Sequence, residues 1–214
     1  MQWGVFAGDQ NDNLSTVASL LGAQPDIQAV FTGWGDPFPS YVGTGLCPNR
    51  SLLVFWENYN YSLDNIISGK YDSYIKTFAA GTTSYKCPVI ISLFHEMNGN
   101  WDDWDGTMGD NSPAKIISAW KHVHDLFAAA GVTNVKWAWA VNNVSEPDTA
   151  ANSPDVYYPG DSYVDYVGVD GFNFGNPWQT FGQVFDTAIA GVQKYNKPIY
   201  IFSMGAVANA QKAA

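Results

Sequence analysis

Residues 94–101 read Phe-His-Glu-Met-Asn-Gly-Asn-Trp and form the densest group of chemically capable side chains in the sequence. They follow an apolar stretch, residues 89–94, that is typical of a buried strand. A carboxylic acid such as Glu96, beside the His95 imidazole and several amides at a strand end, can have its proton affinity adjusted for general acid–base chemistry. A lone His-Glu pair would instead favour a loop-capping Glu96 and a core His95. The length of the run and its position favour the acid–base interpretation.

Seven short apolar segments rich in Val, Ile and aromatic residues predict strands that are buried on both faces of a parallel sheet. They are Trp3–Ala7, Ala29–Thr32, Leu52–Trp56, Val89–Phe94, Val135–Val141, Tyr166–Asp170 and Ile199–Ser203. Helical patterns fall between them at Leu14–Leu21, Tyr71–Ala80, Pro113–Ala130 and Gln179–Lys194. The third helix has the clearest ends, because Ser112 suits the N-cap, Pro113 the first helical position and Gly131 the C-terminal stop.

Repeated strand–helix units without internal linkers predict one α/β domain over residues 1–214, a (β/α)8 barrel of the TIM type. With seven strand segments, we expect a barrel that is truncated after strand seven and lacks the final helix and strand. Strands one and seven would then have unpaired edges, which is a liability for stability. Functional residues of such barrels lie just after the strands. The residues at those positions are Asp9, Trp34, Glu57, His95, Glu96, Asn142, Asn143, Asp170, Phe172 and Ser203.

The charge and composition restrict the class of ligand. The net charge is −10, with only ten Lys and Arg, which argues against nucleic acid, an anionic polysaccharide and an anionic membrane surface. A neutral ligand fits best. No Cys/His spacing of a metal site is present, so we expect no metal. We also expect no cofactor, and we expect a monomer. Cys47 and Cys87 form either a disulfide or two buried thiols.

Aromatic residues make up 15% of the sequence, including nine Trp. Many of them must belong to the core, but five Trp residues stand beside Gly, Asp, Asn or Pro in predicted loops. These are Trp34, Trp56, Trp101, Trp104 and Trp178. Rings in such surroundings suit sugars, which stack an apolar face and hydrogen-bond at their edges. We therefore expect Trp34, Trp101 and Trp178 to hold a saccharide.

The run from His95 to Trp101 resembles the acid/base motif of glycoside hydrolase family 26, which includes many bacterial β-mannanases. Further strings similar to that family follow along the chain. They are Phe31-x-Gly33-Trp34, Trp56-Glu57, Ala119–His124, Tyr158–Asp161, Tyr163–Asp165, Val169–Asn173 and Lys197–Ile199. The resemblance implies an eight-stranded barrel that hydrolyses β-glycans with retention of configuration, by two glutamates after strands four and seven.

The resemblance also implies roles for individual residues. Glu96 matches the acid/base of the family, and His95 matches the histidine that contacts the sugar at the point of cleavage. Trp101 matches a subsite tryptophan, and Asn98 of the same motif is assigned to substrate binding with it.

Two positions depart from the family pattern. The nucleophile glutamate corresponds to Ser203, in the string Phe202-Ser203-Met204-Gly205. Serine cannot replace it, because the hydroxyl is weakly acidic and no base is evident beside it. Phe172 stands where the family often has a tyrosine, so it keeps a ring for substrate binding and loses a hydrogen bond. We expect Glu96 and Ser203 to face each other at the C-terminal end of the barrel.

Three interpretations of function stay open. The first is a secreted, extracellular endo-acting hydrolase of β-1,4-mannan, whose signal peptide is absent from this chain, with mixed-linkage β-glucan or xylan as alternative substrates. The second is an inactive β-glycan-binding homologue or fragment, and the third is either a variant whose nucleophile was replaced by serine or a partial gene product. We expect little or no hydrolysis by this chain and incomplete recovery after Ser203→Glu. A less favoured alternative is that Asp170 or Glu57 activates water and inverts the product.

Overall fold

A computed structural model of the chain describes residues 2–6, 14–42 and 50–208. Seven strands form one sheet in the order of the chain, and each neighbouring pair is parallel. They are β1 Gly4–Phe6, β2 Ile27–Gly33, β3 Ser51–Glu57, β4 Val89–Leu93, β5 Val135–Asn142, β6 Tyr166–Asn173 and β7 Ile199–Ala206. The α-helices are α1 Leu14–Leu21, α2 Leu63–Ile67, α3 Asp72–Tyr85, α4 Pro113–Ala129 and α5 Phe181–Val192. The predicted parallel α/β organisation is confirmed, while the short helix α2 was not predicted.

The ends of α4 and α5 follow from side-chain capping. Ser112 Oγ accepts a hydrogen bond from the Lys115 backbone N–H at 3.3 Å, and Pro113 begins α4. Thr180 and Gln183 form a reciprocal capping box at the start of α5. The buried residues of α4 recur at helical spacing and place one face of the helix against the sheet. They are Ile116, Ala119, Trp120, Val123 and Phe127.

The two faces of the sheet are packed differently. The face that the helices cover carries the large core, which includes Val54, Trp56, Ile91, Trp139 and Val169. The opposite, inner face is lined by a smaller cluster drawn from β2 to β7. Its members are Ile27, Ala29, Leu53, Phe55, Ile90 and Ala138, with Phe31, Tyr166, Tyr200 and Phe202 packed against them.

The sheet curls around this inner cluster, as in a partial barrel. The Tyr200 hydroxyl on β7 donates a hydrogen bond to Gln2 Oε1, just before β1, at 2.5 Å. The two outer strands of the sheet therefore approach each other at that level. Because all seven strands are parallel, their C-terminal ends meet at one rim, where the chemistry was expected.

Two residues named in the sequence analysis, Asp9 and Cys47, lie outside the described residues. Cys87 is disulfide-bonded, and Cys47 is the only other cysteine in the sequence.

None of the helices within the described ranges is long and apolar enough to cross a bilayer.

Candidate active site

Glu96 follows β4 in a tight turn of the backbone. Its φ is +57°, and that of Phe94 is +51°, in a region that non-glycine residues rarely adopt. The turn is held by a hydrogen bond from the Glu96 N–H to the Ala140 carbonyl on β5, at 3.0 Å, and by one from the Gly99 N–H to the Glu96 carbonyl, at 2.8 Å. Backbone of this kind persists where the surroundings fix it, and it concentrates at functional sites.

The Glu96 carboxyl group is held by two N–H donors. Its Oε2 accepts hydrogen bonds from Trp101 Nε1 at 3.1 Å and from Asn142 Nδ2 at 2.9 Å. Glu96 itself is 9% exposed, whereas Trp101 is 45% exposed. The carboxyl group is thus fixed in orientation next to an indole ring that faces solvent.

Asn98 supports this arrangement from inside the protein. Its Oδ1 accepts from the Asn142 backbone N–H at 2.8 Å, and its Nδ2 donates to the carbonyls of Asn142 at 3.1 Å and Val144 at 3.2 Å. Asn98 is fully buried. The expectation that Asn98 binds substrate is therefore corrected, because its amide is used to fix the end of β5.

Asp105 supports Trp101 in the same way. Its Oδ2 accepts from the backbone N–H groups of Trp101 at 2.9 Å and Asp102 at 3.0 Å. Asp105 is fully buried, and that burial raises the pKa of its carboxyl to about 7 despite the two donors. Asp105 and Asp102 therefore hold this loop from inside, since Asp105 accepts from two backbone N–H groups and Asp102 accepts from the Tyr59 hydroxyl.

His95 is surrounded by aromatic rings and carboxyl groups. Its ring lies 5.2 Å from the Phe55 ring and 5.3 Å from the Trp104 ring, and its Nε2 is 3.6 Å from Glu57 Oε1. Burial lowers the pKa of His95, but Glu57 and the nearby carboxyls of Asp170 and Glu96 raise it above its ordinary value overall. The imidazole can therefore carry a positive charge among acidic neighbours.

Asp170 is a residue of β6, three positions before the end of that strand. In the sheet register Asn142 on β5 pairs with Asp170 on β6, and Asp170 pairs with Ser203 on β7. Asp170 is fully buried. Burial and the charge of Glu96 raise its pKa to about 8, against the opposing effects of His95 and the Ser203 backbone.

Ser203 lies on the same side of the sheet as Asp170. The next pair in the register is Gly171 with Met204, and a Cβ on Gly171 would meet the Phe185 ring of α5 at 2.8 Å. Side chains alternate between the faces of a strand, so Gly171 faces the helices while Asp170 and Ser203 face the inner side. A bulge in β7 beside Val169 permits this, since it re-aims the side chains that follow.

One cluster at this rim has the donor types of a metal site. A ring nitrogen of His95 and a carboxylate oxygen each from Glu96 and Asp170 lie within 4.8 Å of one another. Two N–H donors already occupy Glu96 Oε2.

Three of the five predicted loop tryptophans belong to the core. Trp34 is 6% exposed and packs 4.9 Å from the Trp56 ring and 5.7 Å from the Tyr74 ring, on the helix-covered face. Trp56 and Trp104 are fully buried, and Trp104 Nε1 donates to the His95 carbonyl at 2.8 Å. The assignment of Trp34 to sugar binding is wrong in this structure, because neither face of its ring is open to a ligand.

Phe172 and Trp178 are partly exposed near the end of β6. The Phe172 ring lies over Gly205, where a Cβ would come within 3.1 Å of it. Phe174 is 80% exposed beside it and was not singled out from the sequence. Its position directly after the end of β6, two residues beyond Phe172, was the signal in the sequence that could have indicated an exposed ring.

Asn142 and Asp105 are the residues whose part in the site was missed. Asn142 was recognised as a strand-end residue, but nothing in the sequence says that its amide reaches Glu96. Asp105 belongs to a loop whose burial depends on packing against Tyr157, and a Cβ on Gly106 would clash with that tyrosine hydroxyl. The hydrogen bond between Asn142 and Glu96 and the packing of Gly106 against Tyr157 each join segments that are far apart in the sequence.

Comparison with protein families and with known proteins gives a consistent result. Residues 53–210 match the family model described as glycosyl hydrolase family 26. The chain is 33% identical over 213 residues to endoglucanase H of Acetivibrio thermocellus, covering 92% of this chain and 23% of that protein. It is 25% identical to a mannan endo-1,4-beta-mannosidase of Bacillus subtilis, covering 84% of this chain and 60% of that protein. The chain thus spans less than two thirds of the length of either relative.

Solved structures support the same fold. The mannanase man26 of Bacillus subtilis superposes with a TM-score of 0.69 at 15% identity, covering 96% of this chain and 79% of that one. A beta-mannanase from Bacteroides ovatus gives a TM-score of 0.64 at 18% identity, covering 96% and 69%. At such identities the likeness establishes the fold alone.

Proposed function

The chain belongs to glycosyl hydrolase family 26, and from that premise we propose that it binds neutral β-linked glycans, β-1,4-mannan first, with Glu96 as the acid/base of the site. The observation that carries this proposal is the Glu96 carboxyl group at the end of β4, held by Trp101 Nε1 and Asn142 Nδ2. A carboxylic acid in that position protonates the leaving glycosidic oxygen. The exposed Trp101 indole beside it offers an apolar face to a sugar ring.

The rate of hydrolysis depends on the residue at position 203. A retaining glycosidase needs a second carboxylate, about 5–5.5 Å from the first, that attacks the anomeric carbon. Ser203 offers a hydroxyl in its place, and the neighbouring Asp170 carboxyl is fully buried behind it. Loss of one member of a catalytic pair commonly costs several orders of magnitude in rate. We therefore expect the chain to bind glycan and to hydrolyse it slowly.

β-Glucan is a second candidate substrate, and one observation favours it. The chain is 33% identical to endoglucanase H and 25% identical to the Bacillus subtilis mannosidase. Calorimetry with manno-oligosaccharides and with mixed-linkage gluco-oligosaccharides will distinguish the two. We expect heat with the manno-oligosaccharides, and binding of the gluco-oligosaccharides alone would transfer the assignment to β-glucan.

Hydrolysis tests the assignment of the two catalytic positions. We expect Ser203→Glu to release reducing ends from mannan at least about 100-fold faster than the unmodified chain. The same variant with Glu96→Gln is the matched control and should be inactive. Strong hydrolysis by the unmodified chain would show that position 203 is not the nucleophile position, and an active Glu96→Gln variant would remove Glu96 from its role.

A further inference from the structure

We propose that His95, Glu96 and Asp170 form a binding site for one Zn²⁺ ion at the rim of the sheet. A ring nitrogen of His95 and a carboxylate oxygen each from Glu96 and Asp170 lie within 4.8 Å of one another. Three atoms at such distances all lie within about 2.8 Å of a common point, and Zn²⁺ binds nitrogen and oxygen ligands at about 2.0–2.2 Å. Side-chain movements of under about 1 Å would therefore close the three ligands around the ion.

Two of the three ligands carry buried polar atoms that lack a hydrogen bond. Both carboxyl oxygens of Asp170, and Nε2 of His95, are buried without a hydrogen-bond partner among the described residues. Asp170 is 0% exposed and His95 is 9% exposed. Buried polar groups are normally satisfied, and buried charges are paired or coordinate a metal. An ion between these side chains would supply the partner that the rest of the described chain does not.

The charge around these atoms is negative. The carboxyls of Glu57 and Asp102 favour a positive charge on His95, in addition to the two carboxyls of the proposed site. The lysine ion pairs within the described ranges are made with other carboxyls, namely Lys76–Asp72, Lys115–Asp64, Lys136–Asp165 and Lys194–Asp155. Zn²⁺ would take the place of the proton that these carboxyls favour on His95, because a metal binds the neutral imidazole.

Glu96 is already oriented as a metal ligand. Trp101 Nε1 and Asn142 Nδ2 both donate to Glu96 Oε2, so Oε1 is the oxygen available to an ion. Hydrogen bonds of this kind fix the carboxylates of metal sites in the orientation that binding requires. One imidazole nitrogen with two carboxylate oxygens suits Zn²⁺ and leaves a fourth position for water. Spacing in the sequence does not reveal the site, because only the fold brings Glu96 and Asp170 together.

A zinc ion in this position would shut the site to glycans. A Glu96 carboxylate bound to Zn²⁺ has no proton to give to a glycosidic oxygen, and the ion would lie beside the Trp101 ring that is proposed to carry a sugar. Zinc and glycan should therefore exclude each other. This consequence rests on the proposed function, whereas the metal site itself does not.

The experiment titrates the chelator-treated protein with zinc chloride in a calorimeter, and we expect one saturable site per chain. Glu96→Gln and Asp170→Asn each remove a charged ligand with little change of shape, and each should weaken zinc binding at least about tenfold. Thermal unfolding checks that both variants are folded, and Glu96→Gln at the rim decides the result if Asp170→Asn is not. Unchanged zinc affinity in a folded Glu96→Gln variant would overturn the proposal, as would the absence of saturable binding by the unmodified chain.

The matched control removes the other two histidines of the sequence, His122 and His124. Each lies next to a carboxyl on or near α4, with His122 Nε2 2.7 Å from Asp72 Oδ1 and His124 Nδ1 3.2 Å from Asp125 Oδ1. The double variant His122→Gln with His124→Gln should bind zinc as tightly as the unmodified chain. Loss of the zinc site in this variant would place the metal on α4 and overturn the proposal.

Competition distinguishes failure of the metal site from failure of the proposed function. We expect saturating zinc to weaken manno-oligosaccharide binding at least about tenfold, and a chelator to restore it. Zinc binding that leaves the oligosaccharide affinity unchanged would contradict a metal at Glu96. If the metal-free protein binds oligosaccharide but no zinc, the metal site is refuted and the proposed function stands. If zinc binds and depends on Glu96 while no oligosaccharide binds, the metal site stands and the proposed function fails.

Discussion

The Glu96 carboxyl group takes its properties from residues that come from three different parts of the chain. Trp101 and Asn142 hold one of its oxygens, while a ring nitrogen of His95 and a carboxyl oxygen of the buried Asp170 lie within 4.8 Å of the group. A fixed acid next to an exposed ring is an arrangement suited to protonating a glycosidic oxygen. At the scale of single residues, two predictions follow from burial.

Trp101 and Trp34 should respond to substitution in opposite ways. We expect Trp101→Ala to weaken manno-oligosaccharide binding about tenfold, ~1.4 kcal/mol, because a half-exposed indole face is lost. Trp34→Phe should leave the affinity unchanged and lower the melting temperature, since Trp34 is a core residue. Calorimetry and thermal unfolding of both variants measure this. Weaker binding by the Trp34 variant at unchanged stability would restore its sequence-based assignment.

Asp170 should make the stability of the fold depend on pH. Its folded-state pKa of about 8 lies above its ordinary value of 3.8, so the folded state binds more protons between those limits. Its contribution to stability is therefore fully present below the ordinary pKa and is lost as pH rises through about 8, with a slope of at most about 1.4 kcal/mol per pH unit.

The corresponding variant is Asp170→Asn, compared with the surface substitution Asp64→Asn. We expect the free energy of unfolding of Asp170→Asn to change less between about pH 5 and pH 8 than that of the unmodified protein. Asp64→Asn should keep the original slope. Parallel pH profiles for all three proteins would show that Asp170 is not protonated in the fold.

The loop after β4 is the element that turns a strand end into a site. Trp104 Nε1 ties it to the His95 carbonyl at 2.8 Å, and Asp105 Oδ2 holds the backbone N–H groups of Trp101 and Asp102. Asp102 in turn accepts a hydrogen bond from the Tyr59 hydroxyl at 3.0 Å, which joins the loop to the segment after β3. The position of Trp101 therefore depends on the whole loop.

Asp105→Ala tests that dependence. The buried Asp102 N–H would lose its acceptor, at a cost of about 1–3 kcal/mol, and the partly buried Trp101 N–H would lose the same acceptor, so that Trp101 would no longer be held against Glu96. We expect a lower melting temperature together with weaker oligosaccharide binding. Asp103→Ala is the control, because Asp103 accepts one exposed hydrogen bond from the Asn60 N–H. Unchanged binding in Asp105→Ala would mean that Trp101 is positioned without it.

The whole molecule combines a curled parallel sheet with a strongly acidic surface. The sheet brings the C-terminal ends of β4, β5, β6 and β7 to one rim, where Glu96, Asn142, Asp170 and Ser203 meet. The net charge of −10 gives the molecule no attraction for anionic polymers. The site itself offers rings, amides and carboxyls, which suit a neutral glycan.

Binding of such a glycan should be insensitive to salt. We expect the dissociation constant for manno-oligosaccharides to change less than about twofold between roughly 0.02 and 0.5 M sodium chloride, because screening acts on charge pairs and a neutral ligand forms none. Calorimetry at several salt concentrations measures this. A steep loss of affinity with salt, or preferential binding of uronic acid oligomers, would contradict the assignment to neutral glycans.

The sequence by itself determined the parallel α/β organisation, the capped ends of α4 and the location of His95 and Glu96 at a strand end. These features depend on local signals, namely apolar strand segments, an N-cap serine before a proline, and residues adjacent in the chain. The family was also recognisable from short strings such as His95–Trp101. Each of these signals can be read without knowing which segments touch.

The tertiary structure alone decided which side chains are exposed and which are used internally. Trp34 and Trp101 stand in similar sequence surroundings, but one is covered by Trp56 and Tyr74 and the other by nothing comparable among the described residues. Asn98 and Asn142 became supports for one another because a turn after β4 meets the end of β5. Burial and hydrogen bonding depend on contacts between segments that are distant in the chain, and a side chain's type does not specify those partners.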